Sequence, residues 1–236
     1  MSHKHERPPE MITFQTLRKA VGWLGVLLPA GLLLSNYLIT GCTYVEFSIS
    51  QYYFTAGGDM LVAVLCVVGI FLLSYHGYTV NEKGEKDNTD NISSSIAGIA
   101  AIAVAISPTN MVDVVYCKIF SLGDNSLRNG IHYGSAVVFF VTLAYISIFR
   151  FTKSGPEKTP EKKMRNRIYL ACGIAMVACL VVILLIKVKV LDGEKFLSLN
   201  PVFWLEWVAL FAFGFAWLIK GELILKDKKT QQKQHA

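Results

Sequence analysis

The feature that most constrains this chain is the alternation of long apolar runs with short polar segments. The clearest run extends from Met60 to His76, and up to Ser74 its only other polar side chain is Cys66. A helix needs about 20 mostly apolar residues to cross a hydrocarbon layer of roughly 30 Å. With its flanking aromatic residues this run has that length, so it predicts a transmembrane helix.

Six such runs occur, and they predict an all-α integral membrane protein with a bundle of six transmembrane helices. The predicted spans are residues 21–39, 60–76, 92–106, 131–149, 168–186 and 202–219. They form one transmembrane domain, 21–220, between an N-terminal segment, 1–20, and a polar tail, 221–236. Hydrophobic residues make up 53% of the chain, above the 45–50% of soluble domains. An ordinary soluble domain is therefore excluded.

Charge placement predicts the orientation of the bundle. Of the 23 lysines and arginines, 18 fall in the N-terminal segment, in the 77–91 and 150–167 loops, and in the tail together with Lys220 directly before it. The positive-inside rule then places both termini in the cytoplasm of a multi-pass cell-membrane protein. The net charge of +6 does not indicate nucleic acid, because the basic residues are not interleaved with a soluble aromatic face.

The third span differs from the others in being built from serine, alanine, glycine and isoleucine. Ser93, Ala97, Ala101 and Ala105 recur at a spacing of four residues. Small residues at that spacing allow two helix backbones to approach closely. We therefore expect this helix to lie in the middle of the bundle, with little lipid contact.

Polar residues near the outer ends of the spans are the candidates for function. Glu206 is an acid in an otherwise apolar span, a position that usually faces the bundle interior. Asp59 and His132 begin the second and fourth spans at a similar depth, and an outward-facing cluster of these three would suit acid–base work. The alternative is three separate helix-end residues, with Asp59 as an N-cap. The predicted ligand-binding residues are Ser50, Tyr52, Asp59, His132 and Glu206.

Other chemistry finds little support in the motifs. No HxxxH or HExxH spacing exists, so no metal is expected, and the nucleotide motifs GxGxxG and GxxxxGK[ST] are absent, so no cofactor is expected. There is no GxSxG elbow, and the sequence shows no base near Ser48 or Ser50. If the protein is an enzyme, the catalytic residues would be His132 with Asp59 or Glu206.

Two of the five cysteines fall in predicted outer loops. In an oxidising compartment Cys42 and Cys117 can form a disulfide between the first and second outer loops. The segment Ile39-Thr40-Gly41-Cys42 is also similar to a lipoprotein lipobox, and lipidation of Cys42 would exclude that disulfide. Against cleavage, the first span is longer than the 7–15 apolar residues of a signal peptide.

Three segments carry a resemblance to a known family. They are Ile49-Ser50 before the second span, IAGIAAIAVAISP followed by HYGSAVVFF, and Glu206-Trp207 in the sixth span. Together they extend over nearly the whole chain, which resembles the FRAG/DRAM/Sfk-type six-span membrane proteins and related bacterial membrane domains of unknown function. The resemblance implies a role in lipid remodelling or lipid organisation. It also implies that Ser50, His132 and Glu206 correspond to recurrent polar positions of the family.

The sequence thus favours a membrane protein that binds or organises a lipid through an outward-facing polar cavity. A membrane-embedded lipid hydrolase or transferase is the alternative, and a small transporter ranks third because no ionisable residue lies deeper than Glu206. The expected partner is a membrane lipid, and a homo-oligomer is compatible with the pattern.

Overall fold

A computed structural model describes residues 9–77, 86–112, 115–153, 159–191 and 198–225, and within these ranges the chain forms helices and no β-strand. The long helices are α1 (Pro9–Thr40), α2 (Gly58–Leu73), α3 (Thr89–Ile106), α4 (Ser126–Tyr145), α5 (Pro160–Lys187) and α6 (Pro201–Lys220). A short 3₁₀ helix, Ile49–Phe54, precedes α2, and a π-helical turn, Ile146–Arg150, extends α4. The all-helical prediction is confirmed for the described residues.

Five of these helices are long and apolar enough to cross a membrane: α1, α3, α4, α5 and α6. The exception is α2, which is apolar but has only 16 residues and is therefore roughly 24 Å long. Six spans and the orientation of the termini stay predictions. Residues 1–8 of the predicted N-terminal segment and residues 226–236 of the predicted tail lie outside the described residues.

The helices form a ring in which each packs against its neighbours in sequence and α6 closes the ring against α1. The chain runs up and down, so the described parts of connectors 41–57, 107–125 and 188–200 share one end of the bundle. We call this the disulfide end, because Cys42 and Cys117 are joined there. The opposite end, which carries Arg150, we call the Arg150 end.

Glycines set the closest helix contacts in the ring. A Cβ atom on Gly22 of α1 would lie 2.8 Å from the carbonyl oxygen of Gly214 on α6. Between α2 and α3, a Cβ atom on Gly98 would lie 2.7 Å from the carbonyl oxygen of Gly69. Both distances are too short for a side chain, so these crossings require backbone-to-backbone contact, as at membrane helix interfaces rich in small residues.

The prediction that α3 lies in the middle of the bundle is wrong. Its small residues pack on α2 as expected, with Ala97 and Ala101 fully buried, but Ile92 and Ile99 on its other face are 58% and 63% exposed. The most buried of the candidate spans is instead α6. Its Ala212, Phe213, Ala216 and Trp217 are all buried, so small side chains and large aromatic side chains of α6 pack together against the other helices.

An ion-pair network ties the Arg150 end together. The guanidinium of Arg150 pairs with Asp90 at the start of α3 and lies 2.8 Å from the Asp87 carboxylate, which also pairs with Lys153. Lys153, the Thr89 hydrogen bonds and Arg150 together hold the pKa of Asp87 well below its usual range. The network links the beginning of α3 to the end of α4.

Candidate functional site

The connector between α1 and α2 folds down into the ring at the disulfide end. The Cys42–Cys117 disulfide, with a Cα–Cα distance of 5.8 Å, fastens it to the connector between α3 and α4. The Glu46 carboxylate is fully buried and accepts the backbone N–H groups of Tyr116 and Cys117 at 3.2 and 2.8 Å. Burial raises the pKa of Glu46, and these two hydrogen bonds act against that rise.

A buried glutamine makes a second attachment between the same two connectors. The Gln51 side chain donates to the Asn110 carbonyl at 3.0 Å and accepts the Val112 N–H at 3.1 Å. Backbone groups buried inside the protein need such internal partners, because water cannot reach them. These bonds hold the 3₁₀ helix, and with it Ser50, inside the ring.

Ser50 meets a histidine from α4 at this place. The Ser50 Oγ atom lies 2.9 Å from His132 Nε2, and His132 Nδ1 lies 2.8 Å from the carbonyl oxygen of Ser107. A carbonyl oxygen only accepts hydrogen bonds, so Nδ1 carries the proton. In the neutral imidazole Nε2 is then the acceptor, and the Ser50 hydroxyl donates to it. His132 is only 4% exposed, so this pair is held in one geometry.

Glu206 of α6 reaches the same 3₁₀ helix from the other side. Its Oε2 atom accepts the Ile49 N–H at 2.5 Å. Glu206 therefore caps the first N–H group of the 3₁₀ helix. It fixes the backbone that carries the Ser50 hydroxyl.

Two adjoining cavities meet at these three side chains. The inner one, of about 70 Å³, lies inside the ring beneath the 3₁₀ helix and is walled by apolar residues such as Leu28, Leu65 and Phe139. The outer one, of about 310 Å³, lies between α4, α5 and α6. Both are bordered by the same five residues: Ser50, His132, Ala136, Phe140 and Glu206.

The outer cavity has an apolar side and a charged rim. Val137 and Leu184 on its wall are 52% and 60% exposed, so the cavity adjoins the surface that these two helices turn outward. At the rim the Lys187 ammonium donates to the Tyr133 hydroxyl at 2.8 Å and lies 4.5 Å from the centre of the Tyr133 ring. An elongated apolar ligand with a polar head matches this arrangement.

Two predicted ligand-binding residues do not border either cavity. Tyr52 is fully buried and packs on Phe203, with its ring centroid 5.8 Å away, and burial raises the pKa of its hydroxyl to about 12. Asp59 is exposed in the first turn of α2. The proposed grouping of Asp59 with His132 and Glu206 is therefore replaced by one of Ser50, His132 and Glu206. Among the described residues no group of three or more histidine, cysteine or acidic side chains could hold a metal ion.

Sequence reasoning missed three residues that build or border the site: Glu46, Gln51 and Lys187. Glu46 and Gln51 lie outside every apolar run, where polar residues are common and do not indicate a functional site. One signal was available for Lys187, since a cation at the end of a long apolar helix suggests a headgroup contact.

No protein family, curated protein or solved structure matches this chain.

Proposed function

We propose that this is a multi-pass membrane protein that binds a lipid in the outer cavity. One acyl chain lies along the apolar wall between α4 and α5, and the polar head lies against Ser50, His132 and Glu206. The observation that carries the proposal is the meeting of an apolar, laterally placed cavity with three hydrogen-bonding side chains at its inner end. These three residues are also the ones singled out by the resemblance to FRAG/DRAM/Sfk-type proteins.

The size and charge of the cavity restrict the ligand. A volume of about 310 Å³ is at the lower limit of ligand pockets, which run from about 300 to 1,000 Å³. It suits one chain and part of a head group better than a whole two-chain lipid. Lys187 at the rim favours a head that carries negative charge.

We infer further that all six helices cross the membrane, with the disulfide end outside and both termini in the cytoplasm. The uneven distribution of lysine and arginine supports this orientation. The disulfide supports it independently, because such bonds persist in oxidising compartments and are rare in the cytosol.

The lipid-binding proposal predicts that filling the cavity expels the ligand. Ala136 borders both cavities, and Ala136→Leu is expected to lower the lipid retained by purified protein about tenfold, because added methylenes in a filled space cost roughly 1–3 kcal/mol. Retained lipid is measured by native mass spectrometry. Gly134→Leu on the same helix is the control, because open space surrounds that glycine. Equal retention by wild type and Ala136→Leu would contradict the proposal.

A second candidate function, acyl hydrolysis or transfer, is favoured by the Ser50–His132 hydrogen bond. The Ser50 Oγ atom would attack an ester carbonyl carbon while His132 Nε2 takes the hydroxyl proton. The ester C–O bond then breaks, His132 returns the proton to the departing alcohol, and Ser50 holds the acyl group. Water or a second alcohol attacks this acyl ester, His132 takes its proton, and Ser50 Oγ leaves and regains that proton. Glu206 acts as a positioning residue for Ser50.

Catalysis predicts a reactive serine. A fluorophosphonate probe is expected to label wild-type protein at Ser50, as read by peptide mass spectrometry, and not Ser50→Ala. His132→Gln should lower ester hydrolysis by about 10²–10⁴-fold. Ser48→Ala is the matched control, because Ser48 borders the outer cavity but is not bonded to the histidine in the described structure. If wild-type protein shows neither labelling nor hydrolysis, the hydrolase proposal is contradicted and only the lipid-binding proposal stands.

A further inference from the structure

The inner cavity extends beyond the polar head of the lipid proposed above. That head lies against Ser50, His132 and Glu206, and these side chains border the inner cavity as well as the outer one. The inner cavity continues from them into the ring. Its volume of about 70 Å³ has room for about two carbon groups, at the ~30 Å³ that a group the size of a water molecule occupies in a liquid.

The wall of the inner cavity is apolar and deeply buried. It includes one residue that is at most 8% exposed from each of four helices: Leu28 of α1, Leu65 of α2, Ala105 of α3 and Phe139 of α4. A cavity lined by such side chains stays dry and accepts apolar groups. A charged or hydrated group would lose its water there without gaining partners. The inner cavity therefore suits a short piece of hydrocarbon.

The boundary between the two cavities is polar. The Ser50 hydroxyl and His132 Nε2 are hydrogen-bonded at 2.9 Å, and the Glu206 carboxylate accepts the neighbouring Ile49 N–H. A ligand that extends from the outer cavity to the inner one must therefore be polar in its middle and apolar at both ends. An acyl ester fits this boundary, because its oxygens are polar and the carbon chain beyond the carbonyl is not.

The rim of the outer cavity adds a third requirement. The Lys187 ammonium lies there, 2.8 Å from the Tyr133 hydroxyl, and a cation at the end of an apolar helix favours an anionic head group. A glycerol backbone can carry all three groups at once: a long chain, a short acyl ester and a phosphate.

We propose that the ligand is an anionic glycerophospholipid with one long and one short acyl chain. The long chain lies along the wall between α4 and α5, and the phosphate lies near Lys187. The short chain, an acetyl or propionyl group, passes Ser50 and enters the inner cavity. This inference rests on the lipid binding proposed above and adds the length of the second chain, which the closely packed wall of the inner cavity limits.

The test uses full-length protein in detergent micelles and synthetic phosphatidic acids that share one palmitoyl chain. Their second acyl group is acetyl, propionyl or octanoyl, and affinities are measured by titration with native mass spectrometry. Wild-type protein is expected to bind the acetyl and propionyl lipids at least about tenfold more tightly than the octanoyl lipid, because one methylene too many in an apolar pocket costs about 10–200-fold. Equal affinities for the acetyl and octanoyl lipids would overturn the inference.

Two variants change the volume of the inner cavity in opposite directions. Leu65→Ala enlarges it and is expected to raise the affinity for the octanoyl lipid about tenfold. Ala105→Leu fills it and is expected to lower the affinity for the acetyl lipid about tenfold. Ala103→Leu is the matched control, because Ala103 of the same helix borders the groove on the outer side of α3 and α4. Its affinities should stay within about twofold of the wild type.

Lipid that copurifies with wild-type protein distinguishes this inference from the lipid-binding proposal. Retained cellular lipid without a preference for a short second chain contradicts the present inference alone. If no lipid copurifies and none of the three phosphatidic acids binds, lipid binding is contradicted and this inference with it. Equal losses of acetyl-lipid affinity in Ala103→Leu and Ala105→Leu would also overturn the inference, because the effect would then come from helix packing in general.

Discussion

Replacing Arg150 by methionine is expected to destabilise the protein by about 3–5 kcal/mol, the usual cost of removing one partner of a buried ion pair. Arg150 is 5% exposed and Asp90 is 3% exposed. Without the guanidinium, the Asp90 carboxylate stays buried at the start of α3, and Asp87 keeps only Lys153 as an ion-pair partner among the described residues. The free energy of unfolding is measured by titrating detergent micelles with SDS.

The double variant Asp90→Asn/Arg150→Met separates the buried charge from the lost packing. Because it removes both charges of the pair, it should recover much of the stability lost in Arg150→Met. Arg128→Met at the disulfide end is a suitable control, since its guanidinium bonds carbonyl and amide oxygens and, within the described ranges, no carboxylate. A single variant as stable as the wild type would show that the network contributes nothing.

Removing the Cys42–Cys117 disulfide should cost up to about 4 kcal/mol, because the bond closes a loop of long sequence separation. The two cysteines are 75 residues apart, and α2 and α3 lie between them. We expect Cys42→Ser/Cys117→Ser, or wild-type protein treated with a thiol reductant, to unfold at lower denaturant concentration. Stability is measured as for Arg150, with and without reductant.

Loss of the disulfide is also expected to affect the candidate site around Ser50 and His132. The disulfide holds together the two connectors that carry Ser50 and the Ser107 carbonyl, the group that orients His132. The double serine variant should therefore retain less lipid than the wild type. Cys66→Ser is the control, because Cys66 is a free cysteine in α2. Equal stability of oxidised and reduced wild-type protein would contradict the expected contribution.

The membrane character of the chain was predictable from local information. A run such as 168–186 is apolar throughout, and burial in lipid depends on that run and not on its neighbours in space. The structure extends it to Pro160–Lys187. The helix ends were predicted less well, because α4 begins at Ser126 and α5 at Pro160, before the predicted starts at 131 and 168.

The position of α3 was not predictable from its own composition. Small residues predict close contact on one face of a helix, and Gly98 does make such a contact with Gly69. They say nothing about the opposite face, where Ile92 and Ile99 lie exposed. Which helix occupies the centre depends on the combined shapes of all six helices.

Part of the candidate site was likewise predictable from the sequence, and part was not. His132 and Glu206 stood out in the sequence because ionisable residues are rare and costly in apolar spans. Their partner could not be identified from depth alone. Asp59 was chosen because it begins a span, yet it is exposed, while Ser50, 82 residues before His132 in the sequence, lies in contact with the imidazole.

What the sequence by itself determined is the solvent of each segment: which runs belong in lipid, which belong in water, and which polar residues are out of place. These properties follow from the chemistry of contiguous residues. The tertiary structure alone decided which polar groups meet, because the 41–57 connector can fold into the ring only when distant residues bind its backbone. Glu206 does so through the Ile49 N–H, and the connector's own Gln51 side chain bonds the distant backbone of Asn110 and Val112. Such pairings depend on three-dimensional distance, which no local pattern encodes.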